Sequence, residues 1–129
     1  MQLTMANVDA IVRLTREKKL VSCVCTSNPA ISAAVAYLNP DIISIEPPEL
    51  IGTGVAVSKA QPEAVSNTIR MVRKVNDEAV ILCGAGISQG EDVSVALKLG
   101  TRGVLVASGI VKAKDPYTVL RAFADATKQ

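Results

Sequence analysis

Apolar residues in this chain follow two rhythms, one with helical spacing and one of short continuous runs, and the two alternate from end to end. Between Thr4 and Lys19, Val8, Ile11 and Val12 recur at helical spacing while Arg13, Arg16, Glu17 and Lys18 fill the other positions, which predicts an amphipathic helix. Leu20 to Cys25 is a short run rich in Val and Cys that predicts a buried strand, ended by Thr26-Ser27-Asn28-Pro29. Asn28 can accept from the unpaired N–H groups of a helix start and Pro29 fits the first turn, so a helix to about Leu38 should follow. The turn Asn39-Pro40-Asp41 leads into a second strand, Ile42 to Ile45.

Pro62 opens the next helix, in which Val65, Ile69 and Val72 share one face and Arg70, Arg73 and Lys74 sit in the last turns, where the helix dipole favours cations. Ala79 to Cys83 reads as a third strand, broken by Gly84-Ala85-Gly86. Ser88 and Glu91 have capping-box spacing and start a helix carrying Val93, Ala96 and Leu97 up to Gly100. Gly103 to Ala107 is the fourth strand, ended by Ser108-Gly109, and Asp115-Pro116 begins a last helix with the stripe Val119, Leu120, Phe123 and Ala124. The expected architecture is α/β: a single domain over residues 1–129, made of a helix followed by four βα units. Strands that are apolar throughout imply a parallel sheet covered on both faces. An open doubly wound sheet and part of an eightfold βα barrel both fit. A whole barrel takes ~250 residues, so four units would be about half of one.

Composition narrows the function. With 129 residues, 49% hydrophobic and 20% charged, the chain has the make-up of an ordinary globular domain. A net charge of +2, with scattered basic residues, gives no footprint for nucleic acid. No apolar run reaches the ~20 residues of a membrane span, and no membrane partner is expected; the expected location is the cytoplasm. Cys23, Cys25 and Cys83 lie in or beside apolar runs, which reads as reduced, structural thiols. There is no histidine, and no second Cys pair at ligand spacing, so no metal site is expected. Aromatic residues are 2% of the chain with no Trp, which removes stacking as a recognition mode.

One stretch stands apart. The run Ile42-Ile43-Ser44-Ile45 stops at a carboxylate, Glu46, and continues as Pro47-Pro48-Glu49-Leu50-Ile51-Gly52-Thr53-Gly54. Prolines stiffen the start of this loop and glycines free its end, as a hinged lid requires. A strand-end Glu is ordinarily a surface or capping residue. Here Gly84-Ala85-Gly86 and Ala107-Ser108-Gly109 also end strands, with bare backbone that can aim N–H groups at an anion. The glycines could equally serve tight turns and close packing. A carboxylate near a phosphate cradle points to proton transfer on a small phosphorylated molecule.

The run Glu46 to Gly54, followed by Leu82-Cys83-Gly84-Ala85-Gly86-Ile87-Ser88 and by Val104-Leu105-Val106-Ala107-Ser108-Gly109, closely resembles triosephosphate isomerases of the archaeal type. The resemblance runs along the whole chain but covers only the later half of such an enzyme, from the helix after its fourth strand. It implies the second half of a (β/α)8 barrel with no cofactor. It also implies a triose phosphate substrate, interconverted between hydroxyketone and hydroxyaldehyde forms in glycolysis and gluconeogenesis. By the same resemblance Glu46 is the base and Pro47, Pro48, Glu49, Leu50, Ile51, Gly52, Thr53 and Gly54 the lid. Ile51, Gly52, Gly86, Ala107 and Ser108 are the positions whose backbone meets phosphate. Pro48-Glu49 departs from the bacterial and eukaryotic lid, which has an aromatic residue soon after the proline.

The chemistry explains the set. A proton must leave a weakly acidic carbon and return to its neighbour, which one carboxylate can do if electrophiles opposite it stabilise the enediolate. A Glu base, a neutral His electrophile and a closing loop are the established scheme for triosephosphate isomerases. A closed lid would desolvate Glu46 and make it a stronger base. The chain has no His, and no Lys matches the family's Asn-x-Lys site; Lys59, Lys112 and Lys114 read as solvated loop residues. The chain alone is therefore expected to be inactive. It is expected to pair with the N-terminal half of the barrel, to self-associate, or to be the remainder of a longer polypeptide, with a homo-oligomer as the assembled form. The alternatives are an inactive half-barrel folding or assembly module with residual phosphate binding, and a different barrel enzyme for phosphorylated substrates.

Overall fold

The computed structural model describes residues 3–128. Helix α1 (Met5–Glu17) is followed by β1 (Cys23–Thr26), α2 (Pro29–Ala36) and β2 (Ile42–Ile45). A 3-10 turn (Pro48–Leu50) then precedes the short helix α3 (Val57–Ala60), α4 (Pro62–Arg73), β3 (Val80–Cys83) and α5 (Gly90–Lys98). The chain ends with β4 (Gly103–Val104), the single-turn α6 (Ser108–Val111) and α7 (Pro116–Ala126). Local chemistry sets the helix starts. Asn28 accepts from the Ile31 N–H at 2.9 Å with Pro29 in the first turn, and Asp115 accepts from the Thr118 N–H at 3.1 Å ahead of Pro116.

All pairings are parallel, and the strands lie in the order β1-β2-β3-β4. A doubly wound sheet reverses its strand order at a switch point and covers both faces. This sheet has no reversal. Ile43 and Ile81 join Val35, Ala36, Val72 and Ala79 in one buried cluster, and Ile45 and Cys83 join Val57, Val65, Val93, Ala96 and Phe123 in another. The alternate residues, Ile42, Ser44, Val80 and Leu82, face the other way. The architecture is that of half a (β/α)8 barrel, with helices packed on one face.

Several expectations change. The strands are not covered on both faces: Cys23 and Cys25 are exposed and Val80 is 36% exposed. Barrel strands read as continuously apolar because their second face packs against the other strands around the barrel interior. Strand β1 begins at Cys23 rather than Leu20, and Leu20 and Val21 are 61% and 71% exposed. Its partner β2 begins only at Ile42, after the Pro40 turn, so among the described residues no strand pairs with those before Ser22. Strand β4 stops at Val104, one further bond running from the Leu105 N–H to the Cys83 carbonyl, because its one neighbour β3 ends there. In α1 only Val12 is buried, and Ile11 is exposed; in α7, Phe123 and Ala126 are buried, whereas Leu120 and Ala124 are not. The capping box lies one residue later than expected, on Gln89 and Asp92. No helix among the described residues is long and apolar enough to cross a membrane.

The entrance to β1 and β2 is pinned by Asp41, whose Oδ2 accepts from the Ser22 N–H and from the Ser22 hydroxyl, both at 2.7 Å. These bonds, first the backbone one and then the hydroxyl, hold the Asp41 carboxyl below its ordinary value of 3.8. A depressed folded-state value gives stability that is present above 3.8 and lost as pH falls through the folded value. Asp41→Ala should therefore lower the thermal midpoint at neutral pH, and the gap to the parent chain should close below 3.8, as read by circular dichroism melts.

Candidate functional site

The parallel, sequential order of strands brings all the strand ends singled out above to one edge of the sheet. Glu46 follows directly on β2, and its N–H donates to the Thr26 carbonyl at 2.7 Å, so the ladder continues one residue past the strand. Alternation puts Glu46 on the same face as Ser44, away from the helices. The half-buried carboxylate is held by neighbours. The Ser44 hydroxyl donates to Oε1 at 3.1 Å, and the Cys25 thiol, on the paired strand, donates to the same oxygen at 3.4 Å. On the β3 side, a Cβ at Gly84 would lie 2.4 Å from the Glu46 Cγ and 2.5 Å from Oε1, so glycine is what lets the side chain lie there. Partial burial, and then the Glu46 charge, push the Cys25 thiol up to about 12. The same two causes raise Cys23, so both thiols stay protonated near neutral pH and Cys25 keeps the proton it donates. Burial also pushes Cys83 up to about 12.

The loop after Glu46 is built in two parts. Pro47 is buried, and Pro48–Leu50 forms the 3-10 turn, with Glu49 Oε1 accepting from Gln61 Nε2 at 2.9 Å. That hydrogen bond lowers the Glu49 carboxyl. The tip stands clear: Ile51 is 56% exposed, and a Cβ at Gly52 would meet nothing within 4 Å. Past the tip, the Val55 N–H donates to Thr53 Oγ1 at 3.1 Å and the Val57 N–H to the Ala85 carbonyl at 3.2 Å. Ala85 and Gly86 both have positive φ, 69° and 71°, and a Cβ at Gly86 would sit 1.8 Å from the Val55 carbonyl oxygen.

A second network lies beside this contact. Asp92 Oδ2 accepts from the Ser88 and Gln89 N–H groups, both at 3.0 Å, while its Oδ1 meets Lys59 Nζ at 2.8 Å. Burial pushes the Asp92 carboxyl up, but the Lys59 ammonium and the two N–H groups outweigh it and the net shift is down. Hydrogen bonds to Asp92 and then Glu91 raise Lys59. The loop after β3 and the helix after the lid are thus tied to each other.

The family model described as Triosephosphate isomerase matches residues 5–126. The chain belongs to the triosephosphate isomerase family. It is 53% identical over 119 residues to the triosephosphate isomerase of Methanosarcina barkeri, covering 92% of this chain and 54% of that protein. It is 51% identical over 120 residues to that of Methanocaldococcus jannaschii, covering 93% and 55%. The chain spans about half the length of the curated relatives it matches. Among solved structures, the Amycolatopsis orientalis BexX/CysO complex shares the fold at a TM-score of 0.70 and 19% identity, over 95% of this chain and 48% of that chain. The N-acetylmannosamine-6-phosphate 2-epimerase of Clostridium perfringens does so at 0.65 and 19%, over 92% and 48%. At that identity they bear on the fold alone.

Within this triosephosphate isomerase family member, the residues named from sequence divide into two groups. Glu46 stands beside Gly84, and the residues just past the expected lid, Val55–Val57, meet Ala85 and Gly86. Ala107 and Ser108 lie at the same sheet edge, where Ala107 precedes α6 and its carbonyl accepts from the Ile110 and Val111 N–H groups. No hydrogen bond among the described residues joins Ile51 or Gly52 to Gly86, Ala107 or Ser108. Ser44 and Asp92 were not singled out from sequence; Gly84 was expected only as bare backbone at a strand end and Cys25 only as a structural thiol. Lys59, expected as a solvated loop residue, lies in α3 and pairs with Asp92 because that buried carboxylate is within reach of its ammonium. Ser44 carried a signal, as the one polar residue in an apolar run and two positions before Glu46. Cys25 needed the strand register.

The two glycines should respond differently to a Cβ. Gly86→Ala meets backbone at a left-handed position and should cost about 2 to 5 kcal/mol in urea unfolding. Gly84→Ala meets only a side chain, so it should leave the fold standing and displace Glu46.

Proposed function

We propose that this chain supplies the general base, the lid and the phosphate-holding backbone of a triosephosphate isomerase, interconverting dihydroxyacetone phosphate and glyceraldehyde 3-phosphate. The observation that carries this reading is the Glu46 carboxylate at the end of β2, oriented by Ser44 and Cys25 and followed at once by a lid with its tip free. Family membership supports it.

On this reading Glu46 removes a proton from the carbon beside the carbonyl and returns it to the neighbouring carbon, through an enediolate. The lid closes over the bound substrate, shutting out water and bringing the Ile51 and Gly52 backbone towards phosphate held by Gly86, Ala107 and Ser108. Backbone N–H groups do not ionise at working pH, so they hold the dianion without competing with the base. They also restrain the phosphate from leaving the enediolate. The electrophiles that stabilise the enediolate come from outside these 129 residues, which contain no histidine. They belong to a partner segment forming the rest of the barrel, and the assembled form is a homo-oligomer acting in the cytoplasm. The absence of histidine favours one other reading, an inactive half-barrel assembly module that retains phosphate binding.

The chain alone should show negligible turnover, since the loss of even one electrostatic donor costs ~10²- to 10³-fold. Mixed with a segment bearing the missing His and Lys, it should isomerise triose phosphate, and Glu46→Gln should cut that rate by ~10²- to 10⁴-fold. A well-folded mixture, shown by light scattering and circular dichroism, with no turnover would favour the module.

A further inference from the structure

Ser44 is fully buried, yet it interrupts the apolar run Ile42-Ile43-Ser44-Ile45 with a hydroxyl. A buried hydroxyl needs a partner, and the one this side chain takes is Glu46 Oε1, at 3.1 Å. The two residues are two apart on β2 and so share a face, which fixes their relation through the backbone of a single strand. The Cys25 thiol approaches the same oxygen from β1 at 3.4 Å, a longer contact with a weaker donor. Gly84 closes the β3 side against the Glu46 Cγ and Oε1. Among the described residues, Oε2 takes no hydrogen bond. The two carboxylate oxygens are therefore unlike: one is engaged by two donors and the other is free.

We propose that Ser44 is a positioning residue that locks the Glu46 carboxylate with Oε1 engaged and so makes Oε2 the oxygen that takes and returns the substrate proton. This rests on the reading of Glu46 as the base. In the forward step the substrate C–H bond breaks, its electron pair passes into the enediolate, and the proton forms an O–H bond on Oε2. In the return step that O–H bond breaks and the proton forms a C–H bond on the neighbouring carbon, using the electron pair of the enediolate double bond. The hydroxyl proton of the first carbon's oxygen meanwhile passes to the other oxygen by way of the electrophile supplied from outside this chain and leaves a new carbonyl behind. Oε1 stays on the Ser44 hydroxyl throughout, so the carboxylate need not rotate between the two transfers. Among the described residues the Ser44 hydroxyl hydrogen-bonds to Glu46 and not to Gly86, Ala107 or Ser108, so its removal acts on the proton transfer rather than on the phosphate.

Two measurements test this. In the 129-residue chain, three-bond couplings should report a single set of Glu46 side-chain rotamers, averaged in Ser44→Ala while circular dichroism stays that of the parent. Unchanged rotamers in Ser44→Ala overturn the proposal, and this readout needs no turnover. In the completed enzyme, Ser44→Ala should lower kcat roughly tenfold to a hundredfold at unchanged KM, with Ser44→Thr, which keeps the hydroxyl, recovering most of the loss. Full activity in Glu46→Gln would remove the base reading and this proposal with it. An inactive Glu46→Gln beside a Ser44→Ala with parental kcat and KM would remove the positioning role and leave the base.

Discussion

The pairing of β2 with a parallel strand on each side is the constraint on which the site depends. Ile43 and Ile45 must go to the helices, since they build the centres of two buried clusters, and period-two alternation then sends Ser44 and Glu46 to the opposite face. A one-residue slip would drive a carboxylate into the packed helices and leave two isoleucines outside. Hydrophobic packing on one face thereby dictates where the acid stands on the other. The Asp41–Ser22 bonds at the entrance to the strands act on the same degree of freedom, because they set where β1 starts against β2.

A second constraint governs the loop between Glu46 and α3. Its first residues are stiffened by Pro47 and Pro48, and its end is seated on the loop after β3 through the Val57 N–H to Ala85 bond and the close approach of Gly86 to Val55. On the proposed reading, motion between these two held ends is absorbed at the tip, where Ile51 is exposed and a Cβ at Gly52 would meet nothing. The Asp92–Lys59 pair matters here through its position rather than its charge: Lys59 is partly exposed, and such pairs contribute little to stability. Asp92 is buried, however, and it gathers two N–H groups as well as the ammonium, so it holds the loop after β3 and the helix after the lid in one frame.

The sequence made the order of elements and the acid plain, because both rest on local signals: periodicity, capping residues, and a run of prolines and glycines after an apolar segment. Its errors share a cause. Leu20 and Val21 were expected in a strand, Val104 was expected to continue as one, and Ile11 and Leu120 were expected inside; in each case burial depends on whether another element is present to cover the residue. The covering of the second sheet face was misjudged for the same reason. Apolar strands look alike whether their second face meets helices or a barrel interior. The setting of Glu46 was legible only in part. Ser44 follows from alternation, but Cys25 and Gly84 reach the carboxylate through strand register, which no single segment encodes.

These distances also bear on how chemistry would be divided between the halves of a barrel. The groups that orient Glu46 (Ser44, Cys25 and Gly84) come from β1, β2 and the end of β3, all within one sheet. On the proposed reading the carboxylate is therefore oriented within this sheet before any other strand is added. Charge stabilisation is different, since it acts on the far side of a substrate and must come from across the barrel. On the proposed reading, assembly contributes no new positioning of the base. It adds electrophiles opposite a carboxylate already held, so a partner segment would act mainly by lowering the energy of the enediolate, while the geometry of proton transfer is set by three neighbouring strands.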